Sequence, residues 1–149
     1  MSLTKIVRKV FEPRQRELLK HDTQAAELQQ KVLADLLAKA KDTEYGRNHL
    51  FGAAKGYDDF IKHTPINTYE ELKGDIERMR HGESGILWPG KVKWYAKSSG
   101  TTNDKSKFIP VSQDGLKHVH YAGGRDSVAF YLQQNPQSRL FSGRALILG

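Results

Sequence analysis

A run of small hydroxyl-bearing residues near the middle of the chain, followed by two lysines, has the composition of an anion-binding loop. Successive backbone N–H groups around a glycine turn form a concave anion site, because glycine lets the backbone turn sharply and approach a ligand. Serine and threonine hydroxyls donate further hydrogen bonds to phosphate oxygens, and lysine ammonium groups add positive charge. The pattern therefore predicts a polyphosphate-binding loop made of Ser98, Ser99, Gly100, Thr101, Thr102, Lys105 and Lys107.

A plain polar turn is the alternative interpretation of the same residues. Serine, threonine, asparagine, aspartate and glycine predominate in turns, so composition by itself favours a loop that only connects two strands. The usual P-loop order is also absent, because Asp104 rather than glycine precedes Lys105-Ser106. The Asp104 carboxylate would repel phosphate unless it points away. Residue types alone leave both interpretations open.

Short strands are predicted on both sides of this loop. Val92, Trp94 and Ala96 alternate with polar or charged residues, which predicts a half-buried strand with these three side chains on its apolar face. Residues 108–111, Phe-Ile-Pro-Val, form a second β-type run. Pro89-Gly90 is a turn signal that brings the apolar residues before and after it toward each other.

Helices are predicted over most of the remaining chain. Residues 3 to 20 show helical apolar spacing, although Pro13 should end or kink that helix. A second helix is predicted from a cap at Asp22 or Thr23 to about Ala40, and Tyr45-Gly46 is interpreted as a stop. The later predictions are a short helix closed by Pro65, a helix opened by a Thr68–Glu71 capping box and ending near Gly82, and a long helix from an N-cap at Ser112 to Gln134.

The periodicity also predicts which helical side chains are buried. The predicted face of the first helix consists of Leu3, Ile6, Val7, Val10 and Phe11. The predicted buried face of the second helix consists of two adjacent rows of side chains. One row is Leu28, Val32 and Leu36, and the other is Leu33, Leu37 and Ala40. The helix after the capping box should bury Leu72, Ile76 and Met79. On the last helix the predicted face is Leu116, Val119, Gly123, Ser127, Phe130 and Tyr131, and close packing is expected at Gly123-Gly124 because helical glycine is unfavourable.

The carboxyl-terminal segment predicts a fold larger than this chain. Ala145 to Leu148 is a continuous apolar run, typical of a strand buried on both faces of a parallel sheet. Such a strand needs neighbouring strands and covering helices. We therefore expect these 149 residues to be the amino-terminal piece of a longer protein.

Positive charge is concentrated around the predicted loop. The formal net charge is +7, and five lysines but one acidic residue lie between positions 91 and 107. By contrast, residues 42–90 contain six basic and nine acidic residues. A local positive field attracts polyanions, so a small basic nucleic-acid-binding module is an alternative function. No zinc-finger, basic-zipper or RNP pattern supports that alternative.

Composition excludes several classes of site. The chain has no cysteine, which excludes disulfides and cysteine zinc sites and fits a reducing compartment. None of the six histidines has metal-ligand spacing, so no metal site is predicted. No signal-peptide core is present, and no apolar run approaches the ~18 residues that span a bilayer. We predict a cytoplasmic protein without a membrane partner.

The order of the loop residues resembles a known phosphate loop. Ser-Ser-Gly-Thr-Thr, followed by lysine and then Phe-Ile-Pro, resembles the loop of adenylate-forming enzymes. It is more closely similar to the version in the Gretchen Hagen (auxin-responsive promoter) family of acyl-acid amido synthetases. Four further segments resemble the amino-terminal part of that family in the same order, namely residues 43–46, 60–66, 69–72 and 141–149.

The resemblance implies an α/β fold in which residues 1–149 form the amino-terminal helices and first strands of an adenylate-forming domain, incomplete at its carboxyl terminus. It implies that ATP activates a small carboxylic acid, which then passes to an amino acid. Lys107 would be the catalytic motif lysine, and Ser98 to Thr102 with Lys105 and Lys107 would hold the phosphates. The implied cofactors are ATP and Mg²⁺, with the magnesium ligand outside this chain.

Without zinc-finger, basic-zipper or RNP motifs a nucleic-acid partner is not expected, and the resemblance implies that the 149-residue chain alone is not active. An inactive truncated product is therefore a further alternative.

Overall fold

The structure is a computed structural model that describes residues 3–98 and 106–142. Most of the predicted loop, residues 99–105, and the predicted strand Ala145–Leu148 lie outside these residues. The described part is mostly helical and contains one two-stranded antiparallel sheet. Its elements are α1 Leu3–Leu18, α2 His21–Ala40, α3 Glu44–Asn48, α4 Tyr57–His63, α5 Tyr69–Arg80, β1 Trp94–Lys97, β2 Phe108–Val111, α6 Gln113–Gly115, a π-helical turn Leu116–Tyr121, α7 Ala122–Gln134 and a 3₁₀ turn Leu140–Ser142.

The chain divides into two compact units. The first combines Met1–Ala25 with Lys117–Gly149, and the second is Ala26–Leu116. The first unit contains α1 and α7, whereas α3, α4, α5 and the sheet belong to the second. Within the described residues, no helix is long and apolar enough to cross a membrane.

Helix α1 lies against α7 in the first unit. The Arg14 guanidinium donates two hydrogen bonds to the Asp126 carboxylate, at 2.9 and 2.7 Å. The Gln15 side chain donates to the Ala129 carbonyl at 2.7 Å. Of the two effects predicted for Pro13, ending or kinking the helix, the first is wrong, because α1 continues to Leu18. Proline costs about 3 kcal/mol in a helix interior, and the two residues directly after it, Arg14 and Gln15, make the contacts with α7.

The predicted buried faces are only partly correct. On α1, Ile6 and Val10 are 46% and 70% exposed, while Gln15 and Leu18 are buried. On α2, Leu37 and Ala40 are buried as predicted, whereas the row with Val32 and Leu36 is largely exposed. The cap prediction for α2 is also wrong, because the helix already begins at His21 and the Thr23 hydroxyl donates to the Lys20 carbonyl.

The last helix buries a different face from the predicted one. Ser112 caps it and Asn135 ends it as predicted, but Val119, Phe130 and Tyr131 are exposed and Ala129 and Leu132 are buried. A π-helical turn precedes α7 and contains more residues per turn than an α-helix, so residues after it are rotated about the helix axis relative to those before it. The described residues do not show the expected close packing at Gly123-Gly124 either, since among them a Cβ at either position would meet nothing within 4 Å outside its own helix.

A short helix occupies the segment where a stop was predicted. Tyr45-Gly46 lies inside α3, whose N-cap is the buried Thr43. The Thr43 hydroxyl donates to the Ala40 carbonyl at 2.7 Å and accepts from the Gly46 N–H at 2.9 Å. This arrangement brings Gly46 so close to the end of α2 that a Cβ there would lie 2.0 Å from the Ala40 carbonyl oxygen.

Several hydrogen bonds attach α3 to the rest of the second unit. The N–H groups of Glu44 and Tyr45 donate to the carbonyls of Gly85 and Ile86, which satisfies donors that a helix start leaves open. The Arg78 guanidinium of α5 binds the Glu44 carboxylate at 3.0 and 2.8 Å. These hydrogen bonds hold the pKa of Glu44 below its usual range.

Helix α5 carries the small core of the second unit. The predicted capping box is present, because the Glu71 carboxylate accepts from the Thr68 N–H at 2.6 Å. Ile76 and Met79 are buried as predicted. Met79 forms an apolar cluster with Ile86 and Val92, which lie on either side of the Pro89-Gly90 turn. The short α4, Tyr57–His63, is also confirmed.

Replacing Gly46 by alanine should destabilise the second unit strongly. The added methyl would overlap the backbone of Ala40, and relief requires α2 and α3 to separate. We expect the free energy of unfolding to fall by about 3 kcal/mol or more, measured by urea denaturation.

Gly74→Ala is the matched control, because Gly74 lies in the interior of α5. Among the described residues, a Cβ there would meet no heavy atom within 4 Å apart from its chain neighbours and the backbone of its own helix. The free energy of unfolding of that variant should rise by about 1 kcal/mol, because alanine has a higher helix propensity than glycine. Equal effects of the two substitutions would contradict the close contact at Gly46.

Removing the Asp126 carboxylate should make the first unit less stable in a pH-dependent way. The hydrogen bond from Arg14 lowers the pKa of Asp126 below its usual range. A carboxyl whose pKa is lower in the folded state stabilises fully above its unfolded pKa of about 3.9, and that contribution is lost as the pH falls through the folded pKa. Asp126→Asn should therefore lower the free energy of unfolding by about 2 kcal/mol near pH 7. The difference from wild type should shrink as the pH falls below about 4.

Thermal unfolding as a function of pH measures this difference. Asp35→Asn, at an exposed position of α2, is the control and should follow the wild-type curve. A constant difference between Asp126→Asn and wild type at every pH would rule out the ion pair as its source.

Candidate functional site

The predicted loop connects β1 and β2, which form an antiparallel hairpin. Lys97 lies opposite Phe108, Ala96 opposite Ile109, Tyr95 opposite Pro110 and Trp94 opposite Val111. Both strands occur where the sequence predicts them. The two ends of the loop are therefore held side by side, although residues 99–105 themselves lie outside the described part.

Backbone and side chain of Ser98 close the stem of this loop. The Ser98 N–H donates to the Lys107 carbonyl at 2.9 Å, and the Ser98 hydroxyl oxygen accepts from the Lys107 N–H at 3.0 Å. Of the seven predicted loop residues, these two lie in the described part of the chain, and the structure brings them together. Ser99, Gly100, Thr101, Thr102 and Lys105 lie outside it.

The hydrogen-bond pattern of the stem also accounts for Pro110. In an antiparallel pair, the N–H groups of successive residues point alternately toward the partner strand and away from it. The Lys107 N–H points toward β1, so the Phe108 N–H points away from it. An N–H at position 110, two residues farther along, would point away as well. Proline has no N–H, so it is tolerated at such an edge position.

The face of β1 that packs toward α5 is not the predicted one with Trp94 and Ala96 but the opposite one, with Tyr95. Tyr95 is half-buried against the Met79 cluster, whereas Trp94 is 51% exposed and Ala96 is exposed. The predicted apolar alternation is therefore correct for Val92 but wrong for Trp94 and Ala96. Val92 precedes the first residue of β1, so its burial does not fix the orientation of the strand.

Two side chains of α5 contact the beginning of β2. The Tyr69 hydroxyl accepts a hydrogen bond from the Phe108 N–H at 3.1 Å, and the ring centroid of Tyr69 lies 5.6 Å from the Lys107 ammonium nitrogen. The Arg80 guanidinium lies 3.9 Å above the Phe108 ring centroid, a cation–π contact. The sequence patterns predict no role for Tyr69 or Arg80. The one feature that marks Tyr69 in the sequence is its place as the aromatic first residue after the capping-box threonine.

Positive charge surrounds the end of α5 near the start of β1. A cavity of about 610 Å³ there is lined by Arg80, Lys91 and Lys93 beside Tyr95. Within the described part of the chain the buried Tyr95 hydroxyl has no hydrogen-bond partner, and burial raises the pKa of this phenol. Arg80 also forms an ion pair with Glu77 at 2.7 Å, which offsets part of its charge.

The described groups suit an anion better than a metal ion. Within residues 3–98 and 106–142, no group of three or more histidine, aspartate or glutamate side chains could hold a metal. The stem instead supplies the Lys107 ammonium and a hydroxyl whose oxygen is used inside the hairpin. Such a stem can orient a loop and place a cation near its end.

Comparisons with known proteins identify relatives of this chain. The chain is similar to a probable indole-3-acetic acid-amido synthetase, GH3.1, of Arabidopsis thaliana, with 34% identity over 90 residues that cover 60% of this chain and 15% of that protein. A probable indole-3-acetic acid-amido synthetase, GH3.1, of Oryza sativa subsp. japonica is 33% identical over 103 residues, 67% of this chain and 17% of that protein. The chain thus spans about a sixth of the length of these relatives.

The fold agrees with a solved relative as well. A GH3.15 acyl acid amido synthetase superposes with a TM-score of 0.71 and 25% identity, covering 80% of this chain and 21% of that one. This match confirms the predicted fold class, amino-terminal helices with the first strands of such an enzyme. The model of the GH3 family N-terminal domain matches residues 14–148. The chain therefore belongs to the GH3 family, as the resemblance of its loop and flanking segments predicts.

Proposed function

We propose that this chain is the amino-terminal, triphosphate-binding part of an ATP-dependent acyl-acid amido synthetase. In this reaction a carboxylate attacks the α-phosphorus of ATP, pyrophosphate leaves, and an amino acid attacks the resulting acyl-adenylate. The substrates would be a small carboxylic acid and an amino acid. A cytoplasmic location fits the absence of cysteine. Membership of the GH3 family, with a match over residues 14–148, is the observation that carries the proposal.

The activity would belong to a longer polypeptide. The relatives that are named as amido synthetases are about six times as long as the segment that this chain matches. The residues that bind the acyl acid and the magnesium ion would therefore lie elsewhere in that polypeptide, and this chain would supply the phosphate loop. Magnesium, when bound, would neutralise part of the phosphate charge.

The stem explains why a lysine is suited to the end of this loop. Phosphoryl displacement needs positioning and charge stabilisation more than covalent chemistry from the protein. Lys107 is tied through its backbone to Ser98, so its ammonium extends from a fixed point beside the loop. In the proposed reaction it would stabilise the negative charge that develops on the departing pyrophosphate.

Lys107→Ala should suppress adenylate formation. We expect exchange of labelled pyrophosphate into ATP, in the presence of a suitable acid, to fall by about 100-fold, because a preorganised charge on the leaving group is lost. The assay uses the natural polypeptide that contains this chain. Its substrate panel is a set of aromatic and alkyl carboxylic acids.

Lys31→Ala is the charge-matched control, since Lys31 is exposed on α2. Its exchange rate should equal that of wild type. Unchanged exchange in Lys107→Ala would remove this lysine from the mechanism. Steeply salt-dependent binding to DNA or RNA, with no exchange by the wild type, would instead favour a basic nucleic-acid-binding module.

A further inference from the structure

Tyr69 makes two separate contacts with the carboxyl-terminal end of the predicted loop. It is half-buried and is the first residue of α5. Its hydroxyl accepts from the backbone of Phe108, and its ring lies beside the ammonium of the preceding residue, Lys107. One side chain therefore contacts both the backbone of β2 and the cation at the end of the stem.

The hydroxyl contact satisfies a donor that the sheet leaves open. The Phe108 N–H points away from β1, because the neighbouring Lys107 N–H points toward it. A partly buried N–H without a partner is unfavourable. The Tyr69 hydroxyl accepts this hydrogen bond at 3.1 Å and thereby fixes the first residue of β2 against α5.

The ring contact directs the lysine side chain. At 5.6 Å from the ring centroid, the ammonium of Lys107 lies within the usual range of a cation–π interaction. This attraction is weaker than a charge-assisted hydrogen bond to phosphate. The ring can therefore hold the ammonium in place before a polyphosphate arrives without preventing the ammonium from binding it.

The position of Tyr69 is itself fixed by the start of α5. The Glu71 carboxylate accepts hydrogen bonds from both the N–H and the hydroxyl of Thr68, the residue just before Tyr69. The first turn of the helix is thereby closed, and the ring is held at its N-terminus. A rigid support for Tyr69 is what a positioning role requires.

We infer that Tyr69 is a positioning residue that sets the direction of the Lys107 side chain, through its hydroxyl on the backbone and its ring on the ammonium. The consequence for phosphate binding rests on the proposed function. The placement of Lys107 does not rest on it, so the two can be tested separately.

The first experiment measures the placement in the 149-residue chain by NMR. Tyr69→Phe removes the hydroxyl but keeps the ring, so amide exchange at Phe108 should accelerate about fivefold, the effect of one hydrogen bond. The ring-current shift of the Lys107 ε-methylene protons should persist. Tyr69→Leu should abolish that shift as well.

Tyr57 provides the matched control, because it is also the first residue of a helix, α4, and is 63% exposed. Tyr57→Phe and Tyr57→Leu should leave both signals unchanged. If both Tyr69 variants keep the wild-type Phe108 exchange rate and Lys107 shift, the inference is overturned. Thermal unfolding of Tyr69→Phe, the conservative variant, shows whether the fold is retained.

The second experiment titrates the same chain with inorganic tripolyphosphate. Tyr69→Leu should weaken binding about threefold, as expected for loss of a partly exposed cation–π contact. In a Lys107→Met background the same substitution should have no further effect, because Tyr69 acts through the lysine. An equal loss in both backgrounds would indicate a purely structural role and overturn the inference.

The two experiments separate this inference from the proposed function. A wild-type chain that binds no tripolyphosphate removes support from the triphosphate-binding role. In that case the exchange rate of Phe108 and the shift of Lys107 still confirm or overturn the positioning role of Tyr69.

Discussion

The apolar contact of Met79 with Ile86 and Val92 is the constraint on which the candidate site depends. It holds the segment before β1 against α5, so that the hairpin packs against α5 in one defined position. Only then can Tyr69 and Arg80, at opposite ends of α5, both reach Phe108. The burial of three apolar side chains thus determines where the stem of the predicted loop lies.

A second constraint keeps α5 itself in place. Arg78 binds Glu44 at the start of α3, and α3 is locked to the end of α2 through Thr43 and Gly46. The segment that resembles the GH3 family at residues 43–46 therefore has a structural explanation. Its glycine permits the contact between two helices, and its threonine links them by two hydrogen bonds. The resulting frame holds α5, which carries Tyr69 and Arg80 to the site.

The errors in the predicted buried faces have a common physical origin. Apolar periodicity locates a helix or strand, but its phase depends on what the element packs against. A π-helical turn shifts the face of α7, and hydrogen bonds to Arg14 and Gln15 then keep its new face inward. In the hairpin, Trp94 and Tyr95 are both suitable for burial. Packing against the cluster of Met79, Ile86 and Val92 buries part of Tyr95 and leaves Trp94 on the other face.

The sequence alone determined the features that depend on neighbouring residues. These are the capping box at Thr68, the cap at Ser112, the turn at Pro89-Gly90, the two short strands and the family resemblance of the loop segment. The tertiary structure decided the contacts between distant residues. Tyr69 and Phe108, 39 positions apart, meet because α5 and β2 pack together, and the clash that restricts position 46 to glycine exists because α2 ends there. Local preference fixes an element, whereas the path of the chain through space fixes its partners.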